Sequence, residues 1–582
     1  MDVTKYLELR PAPRAIFDAL DERRERTRFM VPEADGGYRA VTFGDVGREI
    51  EDIALFLVAD GHRPGDRGVV FAHNRVEWMS AALAIQTASG TMVPLYASST
   101  AEQAAYVLSH SDARVVFVDG EELLRRVLGA MPALPALERI VLMDARLQPS
   151  RTLMAMRAAS EPTPTDDAVA AKVVSWAIAR ERGRAVADSK PGALLRLLDG
   201  ISLDLPAIML YTSGTSGQPK GVPLTHRNVG VNGRDWLEVL APLLDEGMTD
   251  LLWLPMSHVF GFGEACIGNT LGWTSYLADP QTVMKRLPEV KPSVFMSVPA
   301  IWEKLAQAAM PGESLSEREQ LLAKATGGKL RFCLSGGAGL KREVKELFHS
   351  MGILIIEGYG LTEASPTLTM NRPSAFRFDS VGLPFPNVQL RLAEDGEILA
   401  KGESVFGGYH KDPLASAEAF TEDGWLKTGD VGVFTDDGFL QIVDRKKDIL
   451  VTTGGKNIPP ANIEQRFADD ALFQHVVVYG DNQKYLVAGV WLSPPGVEAE
   501  LGATTDDRAS ALHALIEARI AKVNTQLASY ESIKRFAIME PALTVEGGHL
   551  TPTLKVKRKA VYAAFKPIFE ALYDAPKSTR AK

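Results

Sequence analysis

The segment Tyr211-Thr-Ser-Gly-Thr-Ser-Gly-Gln-Pro-Lys220-Gly221 concentrates small hydroxyls, glycines and one lysine in eleven residues. Glycine lets a backbone approach a ligand closely, and bared N–H groups with hydroxyl donors favour an anion. Thr212, Ser213, Gly214, Thr215, Ser216 and Gly217 would supply donors, and Lys220 a positive charge. This chemistry suits a polyphosphate. The common phosphate loop, G-x-x-x-x-G-K-[ST], does not fit: Pro219 stands at the second glycine's place, and Gly221 where a hydroxyl residue should follow the lysine. A flexible linker is the plainer reading. Against it, the chain resumes at once with the ordered-looking Val222-Pro-Leu-Thr-His226, after the strand-like run Pro206-Ala-Ile-Met-Leu-Tyr211.

Four further segments carry functional groups in similar settings. Ser335-Gly-Gly-Ala-Gly339 follows a predicted strand, and Gly336, Gly337 and Ala338 could approach a flat ligand closely. Glu357-Gly-Tyr-Gly-Leu-Thr-Glu363 follows the strand-like Ile353–Ile356 and joins an aromatic, Tyr359, to the hydroxyl of Thr362 and the carboxylate of Glu363. Gly358 and Gly360 flank that aromatic, and the carboxylate suits a hard cation such as Mg²⁺. Gly424-Trp-Leu-Lys-Thr-Gly-Asp430 ends in an acid suited to a ribose diol. Asp444-Arg-Lys-Lys-Asp448 leads into the glycine loop Thr452-Thr-Gly-Gly-Lys-Asn-Ile-Pro459. Each segment alone could be a surface turn; their occurrence in one chain is not expected by chance.

These segments must be held by a large scaffold. The chain has 582 residues, more than one hydrophobic core supports, so at least two domains are expected. Hydrophobic content of 46% and charged content of 24% are ordinary for a globular protein. A formal net charge of -9 leaves no basic footprint, which argues against nucleic acid as partner. Two cysteines, Cys266 and Cys333, make no disulfide framework. Neither an apolar leader nor a membrane-length apolar run is seen, so a cytoplasmic protein is expected. Composition leaves peripheral membrane association, and monomer against homodimer, open.

Helical and strand-like segments alternate over Phe43–Asp60, Gly68–Ala72, Glu77–Ser89 and Thr91–Leu95, the pattern of α/β layers. Residues 146–204 read as a mostly helical, solvent-facing insertion without visible chemistry. Short strands and turns over Val388–Leu399 suggest a β subdomain. Val476–Tyr479 and Tyr485–Trp491 look like an antiparallel pair in a compact α+β tail. The expected architecture is α/β: a large multi-layered N-terminal domain with a β subdomain (1–446) and a small mobile α+β C-terminal domain (447–582).

Taken together, the ordered segments resemble the core motifs of the adenylate-forming superfamily: acyl-CoA synthetases, adenylation domains and firefly luciferase. The likeness runs from about residue 40 to 565. Gly455-Lys-Asn-Ile-Pro-Pro460 and Leu550-Thr-Pro-Thr-Leu-Lys555-Val-Lys-Arg558 look most like the long-chain fatty acyl-CoA synthetases.

The resemblance implies ATP, Mg²⁺ and coenzyme A, with a carboxylic acid activated as acyl-AMP and then passed to the thiol. It places the triphosphate on Thr212–Lys220, Mg²⁺ at Thr212 and Glu363, the α-phosphate at Thr362, and adenine between Tyr359 and Gly336–Ala338. It assigns the ribose to Asp430 with Arg445, and the bridge between carboxylate and α-phosphate to Lys555. Leu554 stands before that lysine where the commoner family pattern has glycine. His258 aligns with a pocket histidine near the reacting carboxylate, and Phe262 with an aromatic gate to the acyl pocket. Lys447 matches the hinge, and Gly454, Gly455 and Lys456 the loop over the pantetheine path. The rival readings are a fatty acyl-AMP ligase loading a carrier protein, an aryl- or medium-chain acid–CoA ligase, a luciferase-like oxygenase, and a nucleotide-binding regulatory protein. A peptide-synthetase module is disfavoured, because too few residues follow Lys555 for a carrier domain.

Overall fold

Thr42 shows how local sequence sets the first long helix. Its Oγ1 accepts from Asp45 N at 3.1 Å, and Asp45 Oδ2 accepts from Thr42 N at 2.9 Å. This reciprocal cap satisfies two donors that a helix start leaves unpaired, and the helix Phe43–Ala59 follows. Its apolar stripe, with Val46, Ile50, Ile53 and Leu57, is buried. The strand Arg67–Phe71, the helix Val76–Thr87 and the strand Thr91–Leu95 then alternate as expected.

The computed structural model describes residues 1–212, 218–453, 456–468, 470–502, 508–545, 547–551 and 556–574. The chain forms two compact units. One comprises Met1–Arg391, Leu399–Lys427 and Phe434–Gln441; the other comprises Leu392–Ile398, Thr428–Val433 and the chain from Ile442 onward. Asp430 therefore folds with Arg445 in the second unit.

Two large sheets organise the first unit. The seven-stranded sheet has the spatial order Val173–Ser175, Arg139–Leu142, Ala113–Val118, Arg67–Phe71, Thr91–Leu95, Pro206–Thr212 and Lys220–Thr225. The nine-stranded sheet runs Leu383–Pro384, Thr367–Met370, Ile355–Gly360, Phe332–Ser335, Val294–Ser297, Thr249–Leu252, Thr274–Leu277, Thr27–Pro32 and Tyr38–Thr42. Its central strands pair in parallel, and Val294–Ser297 and Phe332–Ser335 are buried at every residue. A parallel sheet covered on both faces demands such continuous apolar runs. Loops leaving the carboxyl ends of parallel strands are the usual ligand positions, and Pro255–His258 and Gly336–Gly339 follow such ends.

Two expectations need correction. Residues 146–204 are mostly helical and largely exposed, as expected, yet they are not a separate insertion. Val173–Ser175 forms the edge strand of the seven-stranded sheet, and the helix Trp176–Ser189 packs on Phe43–Ala59. The helices approach so closely that a Cβ on Gly183 would lie 1.6 Å from the Asp52 carbonyl oxygen. Arg180 binds Asp52 at 3.0 Å and Glu49 at 3.2 Å, and Arg184 binds Asp52 at 2.9 Å. Burial pushes the Glu49 carboxyl up to about 7, with Arg180 opposing. The second correction concerns Gly358, Tyr359 and Gly360, which do not follow a strand but form the end of one, Ile355–Gly360.

A fully buried polar cluster ties the nine-stranded sheet to the helix Val259–Leu271. Arg28 donates to Asn269 Oδ1 at 2.6 Å, Ser275 Oγ at 2.6 Å and the Ala265 carbonyl at 2.8 Å. Ser275 Oγ donates to Asp250 Oδ1 at 2.6 Å. Burial lowers Arg28 to about 10 and raises Asp250 to about 6, while Glu264 lies well above the usual carboxyl range. One buried cation stabilises one carboxylate, so the second acid keeps its proton.

In the second unit, Phe473–Tyr479 and Leu486–Leu492 are antiparallel as expected, and Ile533–Ile538 joins the latter in parallel. Trp491, Val561, Phe565 and Phe569 form part of its core. Among the described residues no helix is long and apolar enough to cross a membrane.

Replacing Gly183 by Ala should destabilise the first unit by about 1–3 kcal/mol, because backbone must move to admit the methyl. At Gly129 a Cβ would meet only the Met156 methyl at 3.7 Å, so Gly129→Ala should be neutral or stabilising in thermal melts. Glu264→Gln carries the sign of the buried acid. A carboxyl whose folded pKa is raised supports stability below its unfolded pKa and loses that support as pH rises through the folded one. The melting temperature of Glu264→Gln should therefore gain on that of the unsubstituted protein as pH increases; a constant gap would contradict this.

Candidate active site

The hydroxyl-rich loop is the tip of a β-hairpin. Pro206–Thr212 and Lys220–Thr225 pair antiparallel, with Thr212 opposite Lys220 and Tyr211 opposite Gly221. A conventional phosphate loop joins a strand to a helix, so the hairpin explains the missing signature. Ser213, Gly214, Thr215, Ser216 and Gly217 lie outside the described residues. The loop's roots are pinned on several sides. Tyr106 Oη donates to the Pro219 carbonyl at 3.0 Å, and His410 N to the Gly221 carbonyl at 2.8 Å. The Tyr211 hydroxyl and His110 Nδ1 are 2.9 Å apart. Lys220 Nζ lies 4.8 Å from the centroid of the Tyr409 ring.

Tyr359 sits opposite Thr369 on the antiparallel neighbour strand, between two glycines. A Cβ at Gly360 would lie 1.8 Å from the Pro366 carbonyl oxygen, and one at Gly358 3.0 Å from that of Thr369. Backbone crowding thus requires glycine at 360 and leaves little room at 358, whatever ligand they admit. The 3₁₀ turn Thr362–Ala364 follows and presents Thr362 and Glu363. Glu363 Oε1 accepts from Tyr409 Oη at 2.9 Å, and the Glu363 carbonyl accepts from Phe406 N at 2.8 Å.

The strand Phe332–Ser335 delivers the second glycine loop. Gly336 faces the Phe260 ring, which a Cβ would approach to 2.9 Å, and Gly337 has φ +86°, which side chains disfavour. The loop is anchored by Glu357, the first residue of the Tyr359 motif. Glu357 Oε1 accepts from Leu340 N at 2.7 Å, and Oε2 pairs with Lys345 Nζ at 2.5 Å. Both side chains are buried, and burial holds the Glu357 carboxyl above its usual range against the pull of Lys345.

His258 is the N-cap of the helix Val259–Leu271, its Nδ1 accepting from Phe260 N at 3.2 Å. That bond places the proton of the neutral ring on Nε2. Phe262 is turned into the core, 3% exposed, with its ring centroid 5.8 Å from that of Trp78.

In the second unit, Asp430 is 6% exposed and its Oδ1 lies 3.4 Å from Arg445 Nε; the Arg445 side chain is largely exposed. Asp430 N donates to Thr428 Oγ1, which in turn donates to the Ile398 carbonyl at 2.8 Å. Lys446, next to Lys447, binds Glu397 at 2.8 Å and Asp395 at 2.5 Å, while Glu397 also accepts from Gly429 N at 3.0 Å. These bonds fix the strand Leu426–Phe434, which carries Asp430. Lys456 is exposed, its Nζ 5.6 Å from the Tyr530 ring centroid. Gly454, Gly455 and Lys555 lie outside the described residues. Arg558, three residues beyond Lys555, makes a two-point ion pair with Glu464 at 2.5 and 2.8 Å, and Glu464 also accepts from Val478 N.

In the first unit, the pairings link Thr212, Lys220 and Glu363 through one side chain, Tyr409. The donors fit Mg²⁺: a carboxylate and a hydroxyl are hard oxygen ligands. Among the described residues no three His, Cys, Asp or Glu side chains converge on a metal position. Sequence reasoning missed Tyr409 and the Glu357–Lys345 pair. The signals available were the glycine pair before Tyr409 in Gly407-Gly-Tyr-His410 and the lone acid ending the apolar run Ile353–Ile356.

Comparison with known proteins agrees with this geometry. The family model described as AMP-binding enzyme matches residues 17–410, and that of the AMP-binding enzyme C-terminal domain matches 447–577. The long-chain-fatty-acid–CoA ligase FadD15 of Mycobacterium bovis is 33% identical, covering 93% of this chain and 93% of its own. The long-chain-fatty-acid–CoA ligase ACSBG2 of Xenopus laevis is 26% identical, covering 87% and 76% respectively. Among solved structures, the adenylation domain of a carboxylate reductase from Mycobacterium chelonae superposes with a TM-score of 0.79 at 21% identity, over 97% of this chain and 91% of that one. The anthranilate CoA ligase AuaEII gives 0.74 at 22% identity, over 98% and 99%. The fold, the arrangement of Lys220 and Glu363 about Tyr409, and two family models spanning most of the sequence lead to one assignment: the chain belongs to the AMP-binding enzyme family.

Proposed function

We propose that this enzyme is an AMP-forming acid–CoA ligase whose acid is a long-chain fatty acid. The observation that carries the reading is the link from Lys220 through Tyr409 to Glu363, which puts a cation for polyphosphate and an oxygen ligand for Mg²⁺ in one place. The relatives named long-chain-fatty-acid–CoA ligases, similar over nearly the whole chain, support the acid and the thiol.

A carboxylate is a poor electrophile, because substitution would expel oxide. In the first half-reaction its oxygen attacks the α-phosphorus of ATP, the bond to the β-phosphate oxygen breaks, and pyrophosphate leaves. Both reactants are anionic, so charge neutralisation and alignment are the enzyme's main contributions. Thr212–Lys220 hold the departing phosphates, and Thr362 and Lys555 contact the α-phosphate, Lys555 also reaching the carboxylate. Glu363 and Thr212 hold Mg²⁺, which supplies charge neutralisation on the phosphates when bound. Tyr359 and Gly336–Ala338 enclose adenine; Asp430 and Arg445 take the ribose hydroxyls. His258, its Nδ1 taken by Phe260 N, offers its Nε2 to the carboxylate.

In the second half-reaction the coenzyme A thiol, losing its proton to solvent, attacks the acyl carbon and AMP departs. Lys447 is the hinge for exchanging the two arrangements, with Gly454, Gly455 and Lys456 along the pantetheine path. The residues 447–582 form the part that moves. Phe262, packed against Trp78, acts on the acyl pocket as part of its wall.

Two measurements test the reading. Acid-dependent pyrophosphate release, followed by AMP release only on adding coenzyme A, should strengthen from medium to long acyl chains. Preference for acetate or benzoate would overturn the choice of acid, and pyrophosphate without any thioester would overturn the choice of acceptor. Lys555→Ala should lower pyrophosphate release by about 10²–10³-fold while leaving thioester formation from supplied acyl-AMP within a few-fold. Equal losses in both half-reactions would remove Lys555 from the adenylation step.

A further inference from the structure

Tyr409 lies between two opposite charges that the reaction needs apart. Its ring meets Lys220 Nζ at 4.8 Å, and its hydroxyl donates to Glu363 Oε1 at 2.9 Å. The side chain is itself firmly held. Tyr409 N donates to Ser416 Oγ at 2.8 Å, and Ser416 Oγ to the Asp412 carbonyl at 2.6 Å. The Phe406 ring meets the Tyr409 ring edge-on at 4.9 Å. The adjoining backbone is pinned to both neighbours: Phe406 N to the Glu363 carbonyl, and His410 N to the Gly221 carbonyl, each at 2.8 Å. One five-residue stretch thus fixes the distance between the hairpin that carries Lys220 and the turn that carries Glu363.

An ammonium and a carboxylate that share one aromatic neighbour would attract each other if that neighbour did not hold them, the more so in a half-buried site. Their direct pair would compete with polyphosphate for the lysine and with the divalent cation for the acid. An aromatic face attracts an ammonium more weakly than a carboxylate does, and a phenol satisfies one lone pair of the acid while leaving the rest for a metal. We propose that Tyr409 is a positioning residue that keeps Lys220 and Glu363 from pairing, holding the carboxylate for the divalent cation and the ammonium for the polyphosphate. The inference rests on the nucleotide reading of this site.

The test uses the full-length enzyme with an ATP analogue carrying a methylene between the α- and β-phosphates, and Mn²⁺ as a paramagnetic stand-in for Mg²⁺. Tyr409→Phe keeps the ring over Lys220 and removes only the hydroxyl. It should weaken Mn²⁺ retention in the analogue complex about 5–10-fold, read by electron paramagnetic resonance, and leave calorimetric affinity for the metal-free analogue within about twofold. Tyr409→Leu removes both functions, so metal retention and metal-free affinity should each fall about tenfold or more. A purely structural role would lower the melting temperature without separating these two affinities. Unchanged Mn²⁺ retention in folded Tyr409→Phe would overturn the inference and leave the nucleotide reading intact. Failure of the unsubstituted enzyme to bind the analogue would overturn both.

Discussion

The buried pair of Glu357 and Lys345 is the constraint on which the first unit's site depends. A single carboxylate at the end of a parallel strand accepts the Leu340 amide and a lysine ammonium, both buried with it. It thereby ties the glycine loop after Phe332–Ser335 to the strand that ends in Tyr359. The same strands are in register, with Ser335 opposite Glu357, so anchoring one loop anchors the row. Removing either partner would leave an uncompensated buried charge, a loss of about 3–5 kcal/mol. From this fixed edge the chain runs through two crowded glycines into the turn that presents Glu363, and from there to Tyr409 and Lys220.

Buried charge recurs as a structural device elsewhere. Arg28, Asp250 and Ser275, on strands of the nine-stranded sheet, form a buried network with Asn269 of the helix capped by His258. That network determines where the helix sits, and so where the His258 ring is held. On the other sheet, Arg180 and Arg184 secure the helix Trp176–Ser189 to Asp52. The segment 146–204 is part of the fold that supports the hairpin, since its strand belongs to the same seven-stranded sheet.

The second unit solves the same problem with pairs farther apart in the sequence than Glu357 and Lys345. Lys446 joins Asp395 and Glu397, and Glu397 holds the Gly429 amide, so the strand segment that leads into Asp430 is set by residues scattered through the sequence. Asp444 accepts the amide of Ala461 at 3.2 Å, and Arg558 grips Glu464, so the chain on either side of the Thr452–Pro459 loop is secured. The loop itself carries small residues and exposed groups, as surface connections do.

By itself the sequence determined the chemistry that is local. A hydroxyl-glycine-lysine stretch, an aromatic between glycines followed by Thr362 and Glu363, and an acid at Asp430 are legible because such segments are contiguous and compositionally distinct. The alternation of helix and strand was legible too, since periodicity is a short-range property. What only tertiary structure decided depends on partners distant in the chain. The hairpin geometry of the hydroxyl loop follows from the pairing of Thr212 with Lys220. The burial of Phe262 against Trp78 and the close contact of Gly183 with Asp52 come from packing that no local pattern encodes. Tyr409 shows the difference most clearly: it is 46 residues from Glu363 and farther still from Lys220, and only the folded chain places it between them.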